Sequence, residues 1–317
     1  MLKLPDTHGK NPEISVPINK VGLLNIKMPI NFIRSQHKQI MVIPTFDIFI
    51  DLPAYQKGIH PSRNYEAITE VLANLVDDTI KLEDACLTIS RELLERHEYA
   101  SRAEVKAFGE AVFERKTPRT GMLTFESFEI MASATFERNG DGVTSATKKV
   151  GVGITGMTAC PCTQEIIRAH ISDRLREEQG LTKAQVESIL QDIPVATHVQ
   201  RSYGSIMMEV PSGFDVDVMR LIEVIEKGMS SSTFELLKRS DEAALVLNAL
   251  ARPRFVEDCI RYMMKGFVEE FVEMPDSVSV TFYQRNEESI HRHDIAAERS
   301  TTLGRIREEL EPKTPTA

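Results

Sequence analysis

The stretch Leu123-Thr124-Phe125-Glu126-Ser127-Phe128-Glu129-Ile130-Met131-Ala132-Ser133-Ala134-Thr135-Phe136-Glu137-Arg138 decides the fold class. Phe125, Phe128, Ile130 and Ala132 stand among polar residues, which predicts a long strand with one face in a core. Asn139-Gly140-Asp141-Gly142 follows as a tight turn and is the expected domain boundary. Beyond it, Val150, Val152 and Ile154 alternate with small residues across Val143–Met157, a second strand. Two long strands joined by so short a turn run antiparallel.

Working outward, Ala103–Arg115 is another alternating strand. It is preceded by two helical patterns, Tyr65–Asp77 with Ser62 as its cap and Glu83–His97. Earlier still come two runs rich in Ile, Val and Phe, Val16–Ile33 and Gln39–Leu52, behind a polar arm over residues 1–15. After the turn the order returns: strand, strand at Ala196–Val210, helices at Val216–Gly228, Phe234–Leu250 and Arg254–Val272, a strand at Asp276–Arg285, and a last strand after His293. A polar helical insert at about 163–192 interrupts it, and Leu303–Leu310 predicts a terminal helix. Antiparallel hairpins beside helix pairs give an α+β class rather than a doubly wound sheet. The expected units are 16–140 and 141–317.

At 317 residues and 42% apolar content the chain can bury a sizeable core. No apolar run is long enough for a membrane span, and the opening Met1-Leu2-Lys3-Leu4-Pro5-Asp6 lacks a secretory core. Four cysteines, Cys86, Cys160, Cys162 and Cys259, suit a reducing cytoplasm. A net charge of −9 disfavours duplex nucleic acid, and with no tryptophan the chain is poor in stacking surfaces for single strands. Neither glycine-rich phosphate fingerprint occurs.

Three runs carry the candidate chemistry: Thr158-Ala159-Cys160-Pro161-Cys162, Thr197-His198-Val199-Gln200-Arg201, and Glu287-Glu288-Ser289-Ile290-His291-Arg292-His293. Thiolate and imidazole are ligands for a divalent transition metal. Ligands scattered along the chain suit a catalytic cation with an open position, because a structural zinc module sets its ligands in tight local pairs. Cys160 and Cys162 lie at a helix start, where a thiol is a good ligand or nucleophile, or simply packs. On a strand, His291 and His293 would share one face, as joint ligands or as ligand and acid-base partner. Arg201, Lys238, Arg239, Lys148, Lys149, Arg285 and Arg292 are candidate phosphate contacts, although each singly is a common surface charge. His170 is a rival ligand. His8, His37, His60 and His97 have no thiol neighbours and are taken as structural.

Together the segments Gly156–Cys162, Thr197–Ser202, Leu236-Leu237-Lys238-Arg239-Ser240-Asp241-Glu242, Arg254–Asp258 and Asn286–His293 resemble the type IB GTP cyclohydrolases, most closely the archaeal, methanopterin-pathway branch. The likeness spans nearly all of the second half. It implies tandem tunnelling-fold (T-fold) units, antiparallel sheets with helix pairs on one face, and a homo-oligomer, dimer or tetramer, with sites between units. It implies a substrate, GTP, and a divalent metal, iron(II) foremost, with zinc(II) or manganese(II) as alternatives. By position Cys160 and His198 match metal ligands, His291 and His293 match histidines needed for activity, and Glu288 matches a carboxylate beside the site. Cys162 is carried as a catalytic candidate, and Arg201, Lys238 and Arg239 as substrate contacts. Bacterial members place a metal-binding glutamate where this chain has Ser230-Ser231-Ser232; Glu235 is the nearest carboxylate and the expected third ligand, unless the histidines fill that place.

Overall fold

A computed structural model describes residues 6–34, 38–74, 80–139 and 144–311. The chain folds into two compact units. Unit 1 comprises Met1–Ala111, Glu129–Gly151 and Met207–Asp217; unit 2 comprises Val112–Phe128, Val152–Ile206 and Val218–Ala317. The turn at Asn139–Gly142 falls mostly on residues outside the described ones, as does His37.

In unit 1, β1 (Ile18–Lys27) leads into the hairpin β2 (Ile30–Arg34) and β3 (Lys38–Val42), then β4 (Thr45–Leu52). β4 pairs antiparallel with β1, and its even residues Phe46, Ile48, Ile50 and Leu52 are buried in strict alternation. Helix α1 (Pro61–Asn74) starts one residue before Ser62, the expected cap. Proline suits that first position because it has no N–H to leave unsatisfied. Helix α2 (Leu82–Arg96) packs with α1 and buries Leu82, Cys86, Ile89, Leu93 and Leu94.

Four long strands contribute to both units: β5 (Arg102–Lys116), β6 (Leu123–Arg138), β7 (Thr144–Ala159) and, after the insert, β8 (Val199–Glu209). β6 has the predicted bounds, with a correction of facing. Thr124, Glu126, Phe128, Ile130, Ala132 and Ala134 are buried, whereas Phe125 is 60% exposed. A period of two cannot place residues 125 and 128 on one side, and the run of buried even positions prevails.

In unit 2, the insert forms α3 (Pro161–Gln179) and α4 (Lys183–Asp192). Gly180 ends α3 in the left-handed conformation that glycine adopts without strain, and Thr182 with Gln185 closes a capping box on α4. Val186, Leu190 and Val195 pack against Ile167, Ile171, Leu175 and Leu181, so this insert, polar in sequence, has a small core of its own. There follow β8 (Val199–Glu209), α5 (Val218–Gly228), the short β9 (Ser231–Ser232), α6 (Arg239–Ala251), α7 (Val256–Glu270), β10 (Ser279–Asn286), β11 (Ile295–Thr302) and α8 (Leu303–Leu310). Strand neighbours in this unit run β5-β6-β7-β8-β10-β11, with β9 on β7. Helix α7 packs on α5 and β10, burying Phe267 against Phe271 and Phe282. The outcome is mixed α and β built on antiparallel sheet, as the strand pattern predicts.

Candidate active site

The site grows from the end of β7. Thr158 and Ala159 are buried, and Cys160 is half-buried as the N-cap of α3, with Pro161 at the first helical position. The Cys160 backbone is held from several sides. Its N–H donates to the His198 carbonyl at 3.1 Å, and its own carbonyl accepts from the Thr197 hydroxyl at 2.8 Å. One residue earlier, Ala159 N–H donates to Ser230 Oγ (3.1 Å) and Arg254 N–H donates to the Ala159 carbonyl (2.9 Å). Thiol and imidazole thus come from adjoining residues although 38 positions separate them in sequence.

His198 is oriented from behind. Its Nδ1 lies 2.9 Å from Gln200 Oε1 and 3.2 Å from Ser289 Oγ. An amide oxygen can only accept, so Nδ1 carries the proton and Nε2 keeps its lone pair for a ligand. Gln200 is itself buried, and its amide Nε2 donates to Glu288 Oε1 at 3.2 Å. A carboxylate–amide–imidazole chain therefore runs Glu288, Gln200, His198, the kind of outer support that metal-ligating histidines use. Glu287 N–H donates to the Arg201 carbonyl (2.9 Å) and ties the end of β10 to β8.

His291 and His293 follow in the loop 287–294 between β10 and β11, and the last strand starts after His293 as expected. The rings share a side: they stack with centroids 5.2 Å apart and planes 15° from parallel. Both are exposed. Arg285 spans the loop's base with ion pairs to Glu287 (3.4 Å) and Asp294 (3.9 Å), and Lys148 pairs with Asp84, so neither is a free phosphate contact. The side chains of Arg201, Lys238, Arg239 and Arg292 make no ion pair with a carboxylate among the described residues. Lys238 and Arg239 sit at the start of α6, where helix N–H groups also favour an anion.

What holds that helix start is Asp241, a fully buried residue that its local sequence does not mark out. Its carboxylate accepts from Arg119 N–H (2.8 Å), Thr120 N–H (2.9 Å), the Thr120 hydroxyl (2.7 Å) and Lys238 N–H (3.1 Å). Burial pushes this carboxyl up, but the hydrogen bonds from Thr120, Arg119 and Lys238 outweigh it and hold the group well below the usual range. Buried Glu126 does similar work for the preceding loop by accepting Glu235 N–H at 3.1 and 3.2 Å.

The remaining candidates separate. Cys162 is exposed in the first turn of α3. His170 is exposed on the same helix, ten residues past Cys160 and so about 15 Å along the axis. Glu235 is exposed in the loop before α6. Among the described residues, the one group of three or more His, Cys, Asp or Glu side chains with ligand atoms within 4.8 Å of one another lies elsewhere, in unit 1. Cys160 and His198 therefore adjoin through their backbones without a third such side chain in a group of that kind among the described residues. Ser230 and Ser231, where the bacterial glutamate is expected, are buried and structural: Ser230 Oγ caps Ala159 N–H, and β9 pairs with Gly156 and Met157. A Cβ on Gly156 would lie 2.7 Å from Met229 Sδ and 3.0 Å from the Ser231 carbonyl, so glycine is what admits this pairing.

Over residues 4–297 the sequence matches the type I GTP cyclohydrolase folE2 family. The chain belongs to that family. A "GTP cyclohydrolase MptA" from Methanococcus aeolicus is 41% identical over 306 residues, covering 96% of this chain and 99% of that protein. Its counterpart from Methanococcoides burtonii is 43% identical over 309 residues, covering 97% of each. Among solved structures, uricase from Arthrobacter globiformis superposes with a TM-score of 0.53 at 9% identity, covering 96% of this chain and 99% of that one. This likeness establishes the tunnelling fold and nothing of the chemistry. As a member of a GTP cyclohydrolase family, the protein is an enzyme. None of its described helices is long and apolar enough to cross a membrane.

Proposed function

We propose that the protein is a metal-dependent cytoplasmic enzyme that opens the imidazole ring of the guanine in GTP, releases C8 as formate, and yields 7,8-dihydroneopterin 2′,3′-cyclic phosphate with loss of pyrophosphate, an opening step of archaeal pterin synthesis. The observation that carries this reading is the backbone contact that sets Cys160 beside His198, with His198 Nδ1 held by Gln200 and Ser289. That pair of residue types fits a divalent cation, because an imidazole tethered at Nδ1 keeps the Nε2 lone pair for a ligand and the Cys160 side chain makes no cap hydrogen bond. Iron(II), the metal implied by resemblance, would supply an activated water for attack at C8.

The chain's own residues would divide the remaining work. Cys160 and His198 hold the cation, with Glu235 or a group from a second copy completing its shell. Glu288, linked to His198 through Gln200, would meet the amidine edge of the purine. The exposed pair His291 and His293 moves protons as the ring opens, with Cys162 as a further catalytic candidate. Arg201, Lys238 and Arg239 meet the triphosphate, which they can do because no carboxylate neutralises them. A site with two ligands per chain suits a homo-oligomer in which copies contribute jointly.

Incubation of the full chain with GTP and iron(II) without oxygen tests the proposal. Formate and a cyclic-phosphate pterin, fluorescent after oxidation and lost on chelation, are expected. Turnover surviving metal removal would overturn the metal assignment. Dihydroneopterin triphosphate would correct the product, and nucleotide binding without formate would make the protein a non-catalytic purine binder.

A further inference from the structure

We infer that the N-terminal arm carries a second divalent transition-metal site, formed by Asp6, His8 and His60, that fastens the arm to unit 1. The ligand atoms of these three residues lie within 4.8 Å of one another. In a tetrahedral zinc site they would be about 3.3 Å apart, so a modest side-chain closure suffices. Two imidazoles and one carboxylate form a mixed nitrogen and oxygen set that takes zinc(II) and its neighbours ahead of magnesium or calcium.

The geometry does not depend on a loose tail. Gly58 N–H donates to the His8 carbonyl (3.2 Å) and Lys57 N–H to the Lys10 carbonyl (2.9 Å), while buried Gln56 Nε2 donates to the carbonyls of His8 (3.1 Å) and Gly58 (3.0 Å). Gly58 also leaves room for the His8 ring, since a Cβ there would meet His8 Cδ2 at 3.2 Å. The His8 and His60 rings are tilted by 49° with centroids 5.1 Å apart. Asp6 Oδ1 lies 3.3 Å from His60 Nε2. His8 N–H and Gly9 N–H both donate to Asp6 Oδ1, at 3.1 and 3.0 Å, and so fix the carboxylate beside the two rings. His60 Nδ1 is buried with no hydrogen-bond partner among the described residues, so one of this ring's two nitrogens is unused by the protein alone. The site belongs to unit 1 and shares no residue with the Cys160–His198 centre.

Zinc(II) titration of metal-stripped full-length protein, followed by desalting and metal analysis, tests the assignment. The native chain is expected to retain about one equivalent more zinc than His8→Gln or Asp6→Asn, and a Cys160→Ser chain to keep that equivalent. Zinc should also slow proteolysis of residues 6–15 in the native chain and not in His8→Gln, because a ligand that binds only the docked arm stabilises it. His8 and Asp6 are exposed, so their replacement leaves the fold intact, and GTP turnover by both variants should match the native rate. Equal zinc retention by the native, His8→Gln and Asp6→Asn chains would overturn the site. So would loss of all bound zinc in Cys160→Ser.

Discussion

His97 in unit 1 and His198 in unit 2 put the same side chain to opposite uses. His97 is fully buried, and both its nitrogens are taken, Nδ1 by the Tyr99 hydroxyl at 2.9 Å and Nε2 by Asn64 Oδ1 at 2.5 Å. Burial, reinforced by Arg63, His60 and Arg96, pulls its pKa down to about 4, so it works as a neutral plug between α1 and the loop after α2. His198 is half-buried and, among the described residues, held at one nitrogen only. A histidine with both nitrogens satisfied is structural; one with a single nitrogen tethered presents the other to a ligand.

The comparison is sharpest where His198 itself is removed. His198→Asn is expected to lower turnover of GTP by about a thousandfold, the loss of several kcal/mol of metal-assisted stabilisation, with little change in melting temperature. An unfolded His198→Asn chain would break the contrast, since it would make His198 structural too. For His97 the expected effect is on stability alone. A histidine whose pKa is depressed in the folded state contributes fully above the unfolded value near 6.5, and that contribution fades as pH falls toward 4. Denaturant melts should therefore lose up to about 3 kcal/mol across that window, and His97→Gln should flatten the slope.

Smaller effects separate the supports of His198. Gln200→Ala removes the buried acceptor of the Nδ1 proton and should lower iron(II) affinity or turnover by about tenfold to a hundredfold, read by metal titration beside initial rates. Ser289→Ala removes only the longer, exposed contact and should cost less than about tenfold while Gln200 remains. If the serine change proved the more damaging, the Glu288–Gln200–His198 chain would not be what orients the ring.

Much of the fold was legible because strands and helices announce themselves by period. β6 at Leu123–Arg138 and α8 at Leu303–Leu310 have the bounds that the pattern predicts. The misjudged details are those that a local pattern cannot hold. Phe125 looks like a core residue by type, but it sits on the odd face of a strand whose even face is buried. At the site, residue types marked Cys160, His198 and Glu288, while Gln200 passed as a flanking residue and Asp241 as part of a charged segment, since nothing local says that a polar side chain will be buried. His8 and His60 were set aside as structural for lack of a thiol neighbour, although the fold brings them beside a carboxylate.

The sequence by itself determined the α+β class, the positions of most strands and helices, and the inventory of thiol, imidazole and carboxylate groups, because these depend on residue type and short-range period. Only the tertiary structure decided which groups meet. Pairing the end of β7 with the start of β8 brings Cys160 to His198, and the hairpin of β10 and β11 carries Ser289 and Glu288 to them. Such contacts join residues dozens of positions apart, and their free energy comes from burying the strands and helices between them.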